Sequence, residues 1–283
     1  MLGMGITMSK PEFKPVQVHS VMNTAGRYAE YKPLEILQRY IYCYWVSYRH
    51  NKIKWDSQIG STREIVAPDG CIDVLFSSDA ENNKVRNIIV GTLEEPIFVD
   101  MEHEKLQTFG IRFLPGGLQA FIKESASQFT NRIVKLNDVF SDMNKELNDK
   151  IFTTLNVKAV VEMVNHYFVS KLSGDIPWED TFQNALHLIY RTRGSISVKD
   201  VAQREAVSEK QLTRIFYERT GVNTKVFARI IRFQSILRII NNRTDAKLVD
   251  IAMQNGYYDQ AHLIREFKCF CGKTPTEYML EEY

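Results

Sequence analysis

The stretch Ser208–Gly221 recurs in altered form fifty-one residues later as Asp259–Gly272, and no other feature constrains the chain as much. Leu212, Arg214, Phe216 and Gly221 align with Leu263, Arg265, Phe267 and Gly272 at one constant offset. In each copy apolar residues return at helical spacing, an arginine stands beside the buried stripe, and a glycine follows the last turn as a C-cap. Two such helices imply one kind of surface presented twice.

The flanks repeat as well. Ser197 with Asp200 resembles a capping box and opens a helix carrying Val201 and Ala202. Ala206-Val207 makes a tight turn, and Ser208 with Gln211 caps the next helix, which buries Leu212, Ile215 and Phe216. In the second copy Ile251 and Ala252 take the places of Val201 and Ala202, Gly256 supplies the turn, Tyr257 packs under it and Asp259 is the cap. Ala202 to Leu212 is ten residues and Ala252 to Leu263 is eleven, so the second turn is one residue longer. These are helix-turn-helix pairs, at about 197–218 and 248–268. Between them Val226, Ile230, Phe233, Leu237 and Ile240 form one stripe, a single linker helix of about seventeen residues or roughly 26 Å. Two helices reading one face of duplex DNA stand about 34 Å apart, and such a linker plus the width of each pair is of that order.

Over residues 178–280 the chain resembles the DNA-binding domain of AraC-type (AraC/XylS-like) bacterial transcriptional regulators. The resemblance rests on Val201-Ala202, Ser208-x3-Leu-x-Arg-x-Phe216, Gly221, Arg232-Phe233, Ile251-Ala252-x3-Gly-Tyr257, Leu263-x-Arg-x-Phe267 and Gly272-Lys-Thr-Pro275. Ala206 stands where glycine is common, and Glu205 where an apolar residue often sits; both bear on the geometry of the first turn.

The expected fold class is α+β. Short alternating runs divided by turns (Ile41–Trp45, Glu64–Ala67, Ile72–Phe76, Asn87–Val90, Pro96–Val99, Thr108–Phe113) indicate an N-terminal antiparallel barrel or sandwich-like domain over residues 1–144. Pro68-Asp-Gly70 and Leu114-Pro-Gly-Gly117 read as turns, Leu118–Ile122 as a short helix, and Asp138–Asp149 as polar and partly loop. Residues 145–176 are a helical connector in which Val160, Val164 and Phe168 repeat at helical spacing; they serve a core or a dimer contact. Gly174 closes that helix, Asp175-Ile-Pro-Trp178 is the boundary with Pro177 in the next first turn, and residues 177–283 are the all-α DNA-binding domain. The N-terminal part also resembles a poorly characterised sensor-like domain, through Tyr44-Trp45, Pro68-Asp-Gly-Cys71, Gly91, Phe109-Gly-Ile-Arg-Phe113 and Pro115-Gly-Gly117. A small-molecule effector pocket there would be lined by Trp45, Phe76, Phe109 and Phe113. The alternative is a domain that only dimerises or contacts proteins.

Residues near the N-terminus of a groove-bound helix that face away from the core reach base edges. In the first copy these are Lys210, Thr213 and Arg214, with Ser208 at the mouth; in the second they are Gln260, Ala261, Ile264 and Arg265. Arginine matches guanine and glutamine matches adenine bidentately, whereas Ala261 and Ile264 offer apolar contact to a thymine methyl. Lys273 and Thr274, before Pro275, are expected to place backbone amides near a phosphate. The competing role for Arg214 and Arg265 is an ion pair that braces the domain, and a brace is the expected role of Arg232.

Charge agrees without deciding the matter: from Gly194 onward there are 14 Lys+Arg against 11 Asp+Glu, and before it 22 against 23. Six scattered histidines and four irregular cysteines form no metal-ligand spacing, and no nucleophile elbow or dinucleotide fingerprint occurs, so neither an enzyme nor a cofactor is expected. No run is apolar enough to span a bilayer, and Met1–Lys10 lacks the basic start of a signal peptide, which points to the cytoplasm and nucleoid. The expected partners are duplex DNA, RNA polymerase, a small-molecule effector and a second copy of the chain.

Overall fold

The computed structural model describes residues 13–17, 28–48, 63–79, 84–100, 106–154, 156–172, 180–242 and 246–282. Its strands are β1 (Tyr28–Tyr31), β2 (Ile41–Tyr48), β3 (Arg63–Val66), β4 (Ile72–Asp79), β5 (Lys84–Val90), β6 (Ile97–Asp100), β7 (Leu106–Phe113) and β8 (Ile133–Lys135). Six of them form an antiparallel sheet in the order β1-β2-β7-β4-β5-β8, and β3 pairs separately with β6. The barrel alternative is not realised, because pairing ends at β1 and β8; the layering is sandwich-like.

One sheet face carries Tyr44, Val46, Ile72, Val74, Phe76, Phe109, Ile111 and Phe113 into a filled core. It is covered by α1 (Ser141–Thr153) and α2 (Val157–Lys171), with Phe168 edge-on to Phe113 at 5.6 Å and to Phe121 at 4.7 Å. Two expectations are corrected here. The polar segment around Asp138–Asp149 is mostly helix, because Met143, Leu147 and Ile151, spaced by four, suffice to bury one stripe of α1. A boundary at residue 144 therefore cuts α1, and the helices expected to form a connector are the sheet's own cover. Val160, Val164 and Phe168 are spent in that core, not held for a dimer contact. Leu118–Ile122 contains only a single 3-10 turn, Leu118–Ala120.

The opposite face presents Cys43, Trp45 and Ser47 from β2, Thr108, Gly110 and Arg112 from β7, and Asp73 and Ser77 from β4, as strand alternation requires. Apart from half-buried Asp73, all of these are buried as well. Arg112 Nε and Nη2 donate to the Asp73 carboxylate at 3.1–3.2 Å, and Trp45 Nε1 donates to Asp73 Oδ1 at 3.3 Å. The Trp45 ring lies so close over Gly110 that a Cβ there would come within 2.1 Å of it. Trp45 and the three phenylalanines thus stand on opposite faces of one sheet, and the expected four-residue pocket lining is corrected: Phe76, Phe109 and Phe113 fill the helix-covered core.

The second domain is all helix: α3 (Asp180–Arg191), α4 (Val198–Arg204), α5 (Glu209–Thr220), α6 (Thr224–Asn241), α7 (Leu248–Gln254), α8 (Gln260–Cys271) and α9 (Pro275–Glu282). Gly174 and the Asp175–Trp178 boundary lie outside the described residues. The rings of Phe182, Phe216 and Phe227 meet in one half of this core, and those of Phe233, Phe267, Phe270 and Tyr278 in the other. Phe13, Ile65, Ala67 and Cys71 from the first domain join the same cluster. The fully buried Gln234 of α6 donates to Pro68 O at 2.9 Å and exchanges hydrogen bonds with the Val16 backbone at 2.7 and 3.0 Å. Thr130 Oγ1 donates to Gly221 O at 2.5 Å, so the first domain also grips the end of α5.

Candidate nucleic-acid interface

Each of the helices α5 and α8 is started by a side chain and stopped by a glycine. Ser208 Oγ accepts from Gln211 N at 3.1 Å and Asp259 Oδ1 from His262 N at 2.6 Å, and Gly221 and Gly272 close α5 and α8 in the left-handed conformation. Leu212, Ile215 and Phe216 turn α5 inward, as Leu263, Phe267 and Phe270 do α8. What remains outward is the set expected from the sequence: Ser208, Lys210 and Arg214 are exposed with Thr213 half-buried, and Gln260, Ala261 and Arg265 are exposed with Ile264 half-buried. Among the described residues neither Arg214 nor Arg265 makes an ion pair, which weakens the bracing role weighed for them.

The brace lies elsewhere. Glu266, 5% exposed, accepts from Arg229 Nε at 2.8 Å and from Arg232 Nε and Nη2 at 3.0 Å, tying α8 to α6. Arg232 also lies over the Tyr257 ring at 4.5 Å. Arg232 is the expected brace; Glu266 carries no local signal in the sequence, because its partners stand 34 and 37 residues away. Ile215 is its counterpart in the first copy, so among the described residues this charged hold belongs to α8 and has no equivalent at that position of α5. Thr274 does not offer a free amide: its N–H donates to Glu277 Oε2 at 2.7 Å, and Glu277 N returns to Thr274 Oγ1 at 3.2 Å. That capping box sets a carboxylate where a phosphate was expected. Lys273 is half-buried beside Gly272.

Ala206 sits at φ +53°, where the second copy has Gly256 at +75°. Left-handed backbone costs a residue with Cβ about 1 kcal/mol, so Ala206→Gly should stabilise the chain by about that much. Urea unfolding measures it, and an unchanged or lower midpoint would show that the turn is not strained.

A family model described as a helix-turn-helix domain matches residues 201–281, and one described as a domain of unknown function, DUF6597, matches residues 29–135. An uncharacterized HTH-type transcriptional regulator of Staphylococcus aureus, SAS0078, is 31% identical over 83 residues, 29% of this chain and 11% of that protein. The chain thus spans about a ninth of the length of the curated relatives it matches. ToxT of Vibrio cholerae is similar over 78% of this chain and 95% of its own at 11% identity, with a TM-score of 0.44. A regulator of Chromobacterium violaceum described as AraC-type is similar over 36% of this chain and 92% of its own at 20% identity, with a TM-score of 0.34. Residues 201–281, which run from α4 to α9, form a helix-turn-helix domain. The chain carries it behind an N-terminal domain of the DUF6597 type.

Among the described residues no group of three His, Cys, Asp or Glu side chains is placed to hold a metal, and no helix is long and apolar enough to cross a membrane.

Proposed function

We propose that the chain is a sequence-specific DNA-binding transcriptional regulator that sets α5 and α8 into successive major-groove segments of one duplex, and that it works in the cytoplasm at the nucleoid. One observation carries this reading: both capped helices turn their apolar stripe inward and leave the N-terminal end, with Lys210 and Arg214 or Gln260 and Arg265, in water. The matched model is described as a helix-turn-helix domain, and the curated relatives are named HTH-type transcriptional regulators. Arg265→Ala should cost about 1–3 kcal/mol at a selected site and relax one base preference. Duplex titration of the full chain measures this; unchanged affinity and unchanged preference remove Arg265 from the interface.

A small-molecule effector is the finer part of the proposal. The sheet face bearing Trp45, Ser47, Ser77, Thr108 and Arg112 motivates it, because it gathers hydroxyls, an indole and an ion pair on one buried face, with Ser77 bonded to Thr108 and both Trp45 and Arg112 to Asp73. The competing reading, an N-terminal domain that only contacts proteins, predicts no ligand. Thermal-shift screening of the full chain beside a Trp45→Ala variant separates the two: a stabilising compound whose effect Trp45→Ala abolishes supports an effector site. RNA polymerase and a second copy of the chain are the further partners that regulation implies.

A further inference from the structure

The second turn is longer by one residue, and the backbone identifies which. Val207 N donates to Ala202 O at 3.0 Å and Tyr257 N to Ala252 O at 3.1 Å, so Val207 and Tyr257 are equivalent. Ser208, the cap of α5, follows Val207 directly, whereas Tyr258 stands between Tyr257 and the cap Asp259. Tyr258 is the added residue. It is also 87% exposed, more than any other large apolar side chain described.

Its backbone is not loose. Tyr258 N donates to His262 Nδ1 at 3.4 Å, and His262 packs edge-on against the Tyr257 ring at 5.2 Å while its own N–H is held by Asp259. The longer turn therefore fixes the main chain and leaves a whole tyrosine side chain in water, beside Gln260 and Ala261. An aromatic ring so placed contributes nothing to the core. A tyrosine has two side-chain torsions to order, a hydroxyl that donates to a phosphate or base acceptor, and a ring face for a sugar or a thymine methyl.

We propose that Tyr258 is a DNA-contacting residue of the second motif, and that it supplies a contact which the first motif lacks and the short side chain of Ala261 cannot make. The proposal rests on the DNA-reading function above. Tyr258 is the polar and aromatic complement to a reader otherwise weighted toward Ala261 and Ile264.

The test uses the full chain and a random-sequence duplex pool, from which the wild type selects its site. Tyr258→Ala should bind that site about tenfold more weakly, with altered preference confined to the half read by α8, and should melt with the wild type because the side chain is exposed. Tyr258→Phe keeps the ring and should fall between the two. If Tyr258→Ala binds and selects as the wild type does while Arg265→Ala loses affinity, DNA reading stands and the role of Tyr258 is overturned. If the wild type selects no sequence, the reading on which the proposal rests falls, and the proposal with it.

Discussion

Arg112→Met should lower stability by about 3–5 kcal/mol at neutral pH, because it strands two carboxylates in the first domain without their counter-charge. The Arg112 side chain is 8% exposed, Asp69 8% and Asp73 16%, so water cannot replace the guanidinium. Burial already raises the Asp69 carboxyl above its ordinary range, against the opposing pull of Arg112 and the N–H of Cys71. Removing Arg112 removes the largest opposing pull, and Asp69 then titrates higher still. A carboxyl that titrates higher folded than unfolded binds more protons in the folded state, so stability falls as pH rises from the ordinary carboxylate range through the folded value. The deficit of Arg112→Met should accordingly be smaller near about pH 4.5 than near about pH 7.5. Urea unfolding at the two pH values checks this. Equal deficits would mean that the lost interaction is packing and not charge.

Glu266→Ala is expected to cost about 3 kcal/mol, the lower end for breaking a buried pair, since Arg232 is largely enclosed but Arg229 keeps about a third of its surface in water. The two arginines would then repel each other across the face of α6 that α8 covers. Glu266→Gln retains the shape and one acceptor, and should recover part of the loss. Both variants should weaken DNA binding through the tilt of α8 while leaving the preference read by α5 intact. A melting curve with a duplex titration measures the pair of effects, and a stable Glu266→Ala protein with full affinity would show that apolar packing alone holds α8.

The helical half of this fold was legible because its signals are local. Caps such as Ser197, Ser208 and Asp259, stops such as Gly221 and Gly272, and an apolar period of three and four all lie within one or two turns of the residues they govern. The outward positions proposed to meet DNA follow from the same local signals: they are the exposed side of a capped helix. The strands were legible as strands, but not the face each side chain takes into the core. Trp45, Ser47, Thr108 and Arg112 are buried on one face while Phe76, Phe109 and Phe113 are buried on the other, so alternation no longer separates inside from outside. Helix α1 is obscured in the sequence because three buried apolar residues in thirteen suffice when a sheet already supplies the other wall. The brace of Glu266 on Arg229 and Arg232, and the hold of Gln234 on Pro68 and Val16, join residues far apart in the chain, and no local pattern encodes them. The capping box of Thr274 and Glu277 is local, and its Thr-x-x-Glu spacing was there to be read.

That α5 and α8 act together on one duplex is tested most directly by footprinting the full chain on the sequence it selects. The expected result is a bipartite site whose halves lie about 34 Å, or about ten base pairs, apart on one face, with Arg214→Ala erasing the preference of one half and Arg265→Ala that of the other. A single protected half, or binding that depends on salt but not on sequence, would contradict it.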